Sequence, residues 1–309
     1  MKTMATVYTD LLSLSLLLEP SAYPKPGNVH RTRDLPGLKY EDFLVTGIIA
    51  YKWLYRGVRR GLRGFGKIVF GDLIYYTLKE VLIITRRSNT CLGSMLLLAP
   101  LGIAVGKLLK NGDEVTAGNI VEEVCRILPE TTVYDSIYFY RAVRLVAPRY
   151  VKPRDQIDGY VNVWDPAYRK KLVEKNQILY EILEYSAKRD IVAHELIYGY
   201  PRSLEAKIFL EKRLNKHCDW NRAVVETYLK LLSQNQDTVI KRLYREQVAK
   251  HVSWKAKETL KEIQDKENWV GPVEELDREL RRQAINPASI ADLVVSTIAL
   301  YLIDNKHVP

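Results

Sequence analysis

Ser88–Gly106 reads SNTCLGSMLLLAPLGIAVG, and the fold turns on how that stretch is interpreted. It holds 19 residues without a charge, long enough to suggest a membrane span. Its details argue otherwise. It opens on polar Ser88-Asn89-Thr90, contains Pro100, and carries glycines at 93, 102 and 106. The strongly apolar part, Leu92–Val105, covers only 14 residues, short of the roughly 20 that a spanning helix uses. The reading is a helix buried in the core of a large helical protein.

The flanking sequence supports a helical core. Apolar residues at Ile120, Val121, Val124, Cys125 and Leu128 fall on one helical face. Asn176–Lys188, Leu204–Leu214, Ala223–Leu232 and Ile240–Val248 repeat the rhythm, and Leu293–Ile303 reads as a buried final helix. Residues 5–19 form a first core helix rather than a signal peptide, because Asp10 precedes the apolar run and Glu19-Pro20 follows it. Turn residues in Ser21–Val29, Asn111–Gly112, Pro148–Asp165 and Val270–Pro272 separate these helices. Tyr160–Trp164 is the best short strand candidate, and it stands alone. The expected architecture is all-α, a single domain over residues 1–309 with ten or more helices.

Charge narrows the function. The chain has 309 residues and a net charge of +10. Its first 106 residues carry 14 basic and 7 acidic side chains, so most of the excess lies there. Such a surface attracts nucleic acid, membrane headgroups or polyphosphate metabolites. With 47% apolar residues the chain is not disordered. Three scattered cysteines, Cys91, Cys125 and Cys218, make no disulfide framework and point to a reducing cytoplasm.

Two familiar motifs fail. Gly61–Lys67 fits the start of a P-loop, but Ile68 stands where a magnesium-binding hydroxyl is required, so the stretch reads as a flexible basic loop. His194-Glu195 lacks the second histidine of a zinc-protease helix. The stripe Lys52, Arg56, Arg59, Arg60, Arg63 and Lys67, with no acid between Asp42 and Asp72, fits either a solvated helix face or a polyanion surface.

Other segments are unusual for a plain bundle. In Pro24-Lys25-Pro26-Gly27-Asn28, two prolines stiffen the chain around Lys25, and Gly27 permits close backbone approach. Asn89-Thr90, followed by Gly93, opens the apolar helix, where unpaired N–H groups favour anions. Arg189-Asp190, followed by Glu195, and Asp237-Thr238, followed by Arg242, put acids beside cations. After Asn286-Pro287 and Ser289, Asp292 falls near the start of a segment that should be buried. A carboxylate there is costly unless it is paired, caps the helix or binds metal.

These segments, in this order, resemble the triphosphoribosyl-dephospho-CoA synthase family. The likeness runs through Glu19, Pro24–Gly27, Asn89-Thr90 with Gly93, Arg189-Asp190 with Ala193 and Glu195, Asp237-Thr238 with Arg242, and Asn286-Pro287 with Ala291-Asp292-Leu293. It implies an all-helical enzyme that joins C1 of the ATP ribose to the 2′-hydroxyl of dephospho-CoA and releases adenine. It also implies roles. Lys25 and Arg242 would hold phosphate, and Asp237 and Asp292 would hold Mg²⁺. Asp190 or Glu195 would act as base or oxocarbenium stabiliser, with Glu19 in either role. Pro26, Gly27, Asn28, Asn89, Thr90, Gly93, Arg189, Thr238, Asn286 and Ser289 would line the nucleotide site.

The chain departs from the family's better-known members at Cys91-Leu92, where they carry His-Lys, and at Ala288, where they carry glycine. The acceptor therefore stays open. So do two alternatives: a related transferase acting on another cofactor precursor, and a basic helical nucleic-acid-binding protein. The expected partners are ATP and a dephospho-CoA-like molecule in the cytoplasm, with neither membrane nor nucleic acid. The oligomeric state is open, a homodimer included.

Overall fold

The computed structural model describes residues 2–86, 89–152, 159–264 and 266–307. Among these are fifteen α-helices and no strand. They are α1 (Lys2–Ser21), α2 (Tyr40–Arg63), α3 (Gly71–Thr85), α4 (Leu92–Asn111), α5 (Ala117–Ile127), α6 (Val133–Val146), α7 (Tyr168–Glu174), α8 (Leu179–Ala187), α9 (Ile191–Ile197), α10 (Pro201–His217), α11 (Trp220–Gln234), α12 (Thr238–Tyr244), α13 (Glu246–Ile263), α14 (Val270–Arg282) and α15 (Ala288–Asn305).

Two helices are long and apolar enough to cross a membrane by length and composition, α4 and α15. Both are largely buried within the fold, as expected for Leu92–Val105; Ser88 lies outside the described residues. The α4 helix packs on α1, α2, α3, α5, α9 and α15, and α1 packs on α2 and α15. The first and last helices therefore meet beside the start of α4.

Glycines set the closest crossing. A Cβ on Gly61 would lie 2.1 Å from the Ile103 carbonyl, and one on Gly106 would lie 2.1 Å from the Val58 carbonyl. The α2 and α4 backbones touch with no side chain between them. Gly61→Ala is expected to destabilise the fold by about 3 kcal/mol, the upper end of overpacking costs. Gly118→Ala, with open space around it, should be neutral or slightly stabilising. Urea unfolding of both variants checks this, and equal midpoints would refute the crossing.

The α3 helix returns antiparallel to α2, tied by Lys52–Glu80 at 2.6 Å and Arg60–Asp72 at 2.7 Å. A buried Asp135 on α6 then receives the Val69, Phe70 and Gly71 N–H groups at the start of α3.

Four expectations need correction. Gly61–Ile68 is not one loop: α2 continues through Arg63, and Gly61 is buried against α4. Ile240–Val248 is two helices, broken at Arg245, whose φ of 83° cannot continue a right-handed helix. Val270–Pro272 is the first turn of α14, where proline is tolerated because its missing N–H has no intrahelical partner. Tyr160–Trp164 is loop, held through the Val161 N–H to Gln177 and the Val161 carbonyl to Tyr140.

Candidate active site

The Pro24–Asn28 loop follows α1 and is gripped from two sides. The Tyr228 hydroxyl on α11 donates to the Pro26 carbonyl at 2.8 Å. On α14, Asp277 accepts the Gly27 N–H at 2.8 Å, while Arg281 holds Asp277 and donates to the Asn28 carbonyl. Gly27 has φ +73°, and a Cβ there would lie 2.5 Å from the Ile285 carbonyl. Its glycine is required by packing against the protein.

Lys25 is wholly buried. Its ammonium pairs with the Glu19 carboxylate and donates to the Glu19 carbonyl at 3.2 Å. Burial pushes Glu19 up and Lys25 down, and their mutual attraction opposes both shifts. Lys25 is therefore buried and paired, where the sequence reading has it hold phosphate from a stiff loop. It neutralises the Glu19 carboxylate within the protein, so that Glu19 is paired rather than free.

The mouth of α4 lies beside this pair. Asn89 caps the helix, its Oδ1 accepting the Cys91 and Leu92 N–H groups at 3.1 and 2.8 Å. The Thr90 hydroxyl meets Thr46 of α2 at 2.6 Å. Ser94 donates its hydroxyl to Oδ1 of Asp292 on α15. A Cβ on Gly93 would lie 2.1 Å from Oδ2 of that carboxylate, so Gly93 leaves room for the Asp292 side chain. Asp292 does not cap α15. Burial, followed by the charges of Glu19 and Asp237, raises its pKa to about 7 against the Ser94 hydrogen bond.

Asp237 caps two helices at once. Its Oδ1 accepts the Ile240 N–H of α12 at 2.9 Å, and its Oδ2 accepts the Ile290 N–H of α15 at 3.0 Å. Burial raises its pKa to about 6, opposed by these N–H groups. Both oxygens are engaged, which favours a structural role over the expected Mg²⁺ ligation. Thr238 and Ser289 pair through their hydroxyls at 2.9 Å across the same junction. Nearby, Asn286 Oδ1 is buried without a hydrogen-bond partner among the described residues. Asn28 reaches back to the Pro287 carbonyl at 3.5 Å.

Asp190 caps α9, its Oδ1 accepting the Val192 and Ala193 N–H groups at 3.0 Å. Its Oδ2 faces Arg242 at 3.7 Å. Arg242 lies over the Tyr150 ring, 5.8 Å from its centroid. Burial raises the Tyr150 pKa, with Asp190, Asp292 and Asp237 adding to the shift. Tyr150 thus joins the acids of three segments, yet it lies in a stretch read from sequence only as turn. Arg189 is exposed.

Glu195 makes its contacts with α10. It is wholly buried, accepts the Ser203 N–H of α10 at 2.6 Å, and pairs with Arg202 at 3.4 Å. Burial raises its pKa against those contacts. It secures the start of α10, and both its oxygens are engaged by protein groups.

The gathered set is Glu19, Lys25, Asp190, Asp237, Arg242 and Asp292, with Tyr150 added. Among the described residues, no three His, Cys, Asp or Glu side chains stand close enough to hold a metal between them. The basic stripe is elsewhere. Tyr51, Lys52, Tyr55, Arg56, Arg59 and Arg63 line a shallow groove on α2. Arg63 lies about 25 Å along the helix from Thr46, at 1.5 Å per residue, and Thr46 marks the site end.

Comparison with known proteins agrees with the all-helical fold. No curated protein sequence matches the chain. The fold is similar to a crystal structure from Archaeoglobus fulgidus assigned as a triphosphoribosyl-dephospho-CoA synthase. That match has 23% identity and a TM-score of 0.64, and covers 85% of this chain and all of that one. A model of the ATP:dephospho-CoA triphosphoribosyl transferase family matches residues 5–308. The chain belongs to that family of transferases, which pass the triphosphoribosyl group of ATP to dephospho-CoA.

Proposed function

We propose that Asp292 is the general base of this transfer and that adenine is the leaving group. The supporting observation is a partly buried carboxylate with its pKa raised to about 7, beside the negative charge of Asp237. A base poised near the working pH combines a useful ionised fraction with enough basicity to take a hydroxyl proton. Here it accepts the proton of the 2′-hydroxyl of dephospho-CoA as that oxygen bonds to C1 of the ATP ribose. The C1–N bond breaks, adenine departs with the bond electrons and takes a proton from solvent, Asp292 gives its proton back to solvent, and the triphosphate stays on the transferred ribose. Positive charge developing at C1 is stabilised by a nearby carboxylate, as in glycoside hydrolysis; Asp190 is the candidate.

Arg242 and exposed Arg189 are the cations that fit the triphosphate. Mg²⁺ enters with ATP as part of the substrate. This suits a site with few available carboxylates, since Mg²⁺ commonly binds one or two carboxylates plus substrate phosphates. Cys91, Cys125 and Cys218 are all free thiols, which supports work in the reducing cytoplasm.

The test is incubation of the purified protein with ATP, MgCl₂ and dephospho-CoA, followed by chromatography for adenine and mass analysis of the product. Adenine and a triphosphoribosyl adduct should form in equal amounts. ATP consumption yielding ADP or AMP instead of adenine would overturn the proposal, as would no consumption at all.

A further inference from the structure

A cleft of about 410 Å³ opens between the start of α10 and the end of α11, lined by His194, Arg202, Glu205, Lys230, Gln234 and Asn235 among others. It adjoins the site along two elements. His194 is four residues beyond Asp190 on α9, about 6 Å along the axis, and Asn235 is two residues before Asp237.

Its floor is fixed in place. Arg202 donates from Nε to Asn235 Oδ1 at 2.7 Å and from one terminal nitrogen to His194 Nδ1 at 2.9 Å, with Glu195 at 3.4 Å. Arginine only donates, so His194 Nδ1 is the acceptor and its Nε2 carries the proton. Burial and Arg202 both lower the His194 pKa, which keeps the ring neutral at pH 7. These bonds leave the second terminal nitrogen of Arg202 unengaged among the described residues. Lys230 rests over the Phe209 ring and has no carboxylate partner among them.

We propose that this cleft binds the diphosphate of the acceptor nucleotide, with Lys230 and the outer edge of Arg202 as its anion contacts. The inference rests on the transferase reading above and assigns the acceptor a subsite. Charge selects the acceptor over ATP. Glu205 in the lining and Glu195 beneath Arg202 offset much of the positive charge, which suits a diphosphate diester better than a triphosphate. Position agrees, because an acceptor whose hydroxyl meets the acids at Asp190 and Asp292 would trail its diphosphate one helical turn away. The open side of the cleft leaves room for the rest of the molecule.

Lys230→Glu tests this, with Lys230→Gln as the milder variant and thermal melts to establish that both fold. The KM for dephospho-CoA should rise about tenfold in Lys230→Glu and less in Lys230→Gln, while the KM for ATP stays within twofold. With adenosine as acceptor, which has no diphosphate, both variants should match the wild type. An unchanged KM for dephospho-CoA, or an equal rise for ATP, would overturn the assignment. Equilibrium dialysis of labelled dephospho-CoA separates the two proposals. Weaker binding in Lys230→Glu supports the subsite even if the wild type releases no adenine. Equal binding with normal adenine release removes the subsite and leaves the transferase standing.

Discussion

Asp292→Asn should lower turnover about a thousandfold and also raise the melting temperature at pH 8. The loss follows from removing a general base, which contributes roughly 10² to 10⁴. The gain follows from linkage. The Asp292 pKa is raised to about 7 from an ordinary value of 3.8, so the folded protein holds this proton more tightly than the unfolded chain. That stabilisation is full below about pH 4 and is lost as pH rises towards 7. Above pH 7 the ionised side chain costs the fold on the order of 2–4 kcal/mol relative to a neutral one. Asparagine carries no charge and avoids this cost. Melting curves at pH 4 and pH 8 should converge at the lower value, with the variant several degrees higher at pH 8. Wild-type kcat/KM should climb with pH through about 7, and this limb should be missing from any residual activity of the variant. Wild-type turnover in Asp292→Asn would end the base assignment.

Lys25→Ala tests the reassignment of Lys25 through stability. Removing one partner of a buried ion pair strands the other, at a cost of about 3–5 kcal/mol. Glu19 would be left ionised near Asp292, whose pKa its charge already raises, or protonated at a comparable cost. Glu19→Gln/Lys25→Met, which removes both charges, should recover most of the loss, because a well-packed neutral replacement of a buried pair is often close to neutral. A phosphate clamp predicts the reverse, a stable Lys25→Ala protein with a raised KM for ATP. Urea unfolding of the three proteins, with ATP kinetics on Lys25→Ala, distinguishes these outcomes.

The helices were legible because their apolar spacing follows local geometry. Leu293–Ile303 and Ala223–Leu232 reappear inside α15 and α11 with ends extended by a few residues. Breaks were harder to see. The interruption at Arg245 depends on a single backbone angle, and nothing in the apolar pattern of Ile240–Val248 marks it. The convergence of separate segments was legible, since Asp190, Asp237, Arg242 and Asp292 come together around Tyr150. Their roles were less readable, because a sequence does not show which groups a side chain meets. Lys25 read as a phosphate contact until its Glu19 partner was visible, and Asp237 as a Mg²⁺ ligand until both its oxygens were found on helix N–H groups. Tyr150 carried no signal at all, as a tyrosine in a turn-rich stretch gives no hint of the acids around it.

The meeting of α1 with α15 at the mouth of α4 has a kinetic consequence. Glu19 and Asp292 are 273 positions apart in the chain, and contacts of such separation come at a high loop-closure cost. The site should be among the last features to mature during refolding, so recovery of turnover should lag behind recovery of helical signal. A ligand that requires the completed site binds only the native state and shifts the whole unfolding equilibrium rather than guarding one segment. Saturating substrate should then slow exchange of core amides in helices that never touch it, provided those amides exchange through global unfolding.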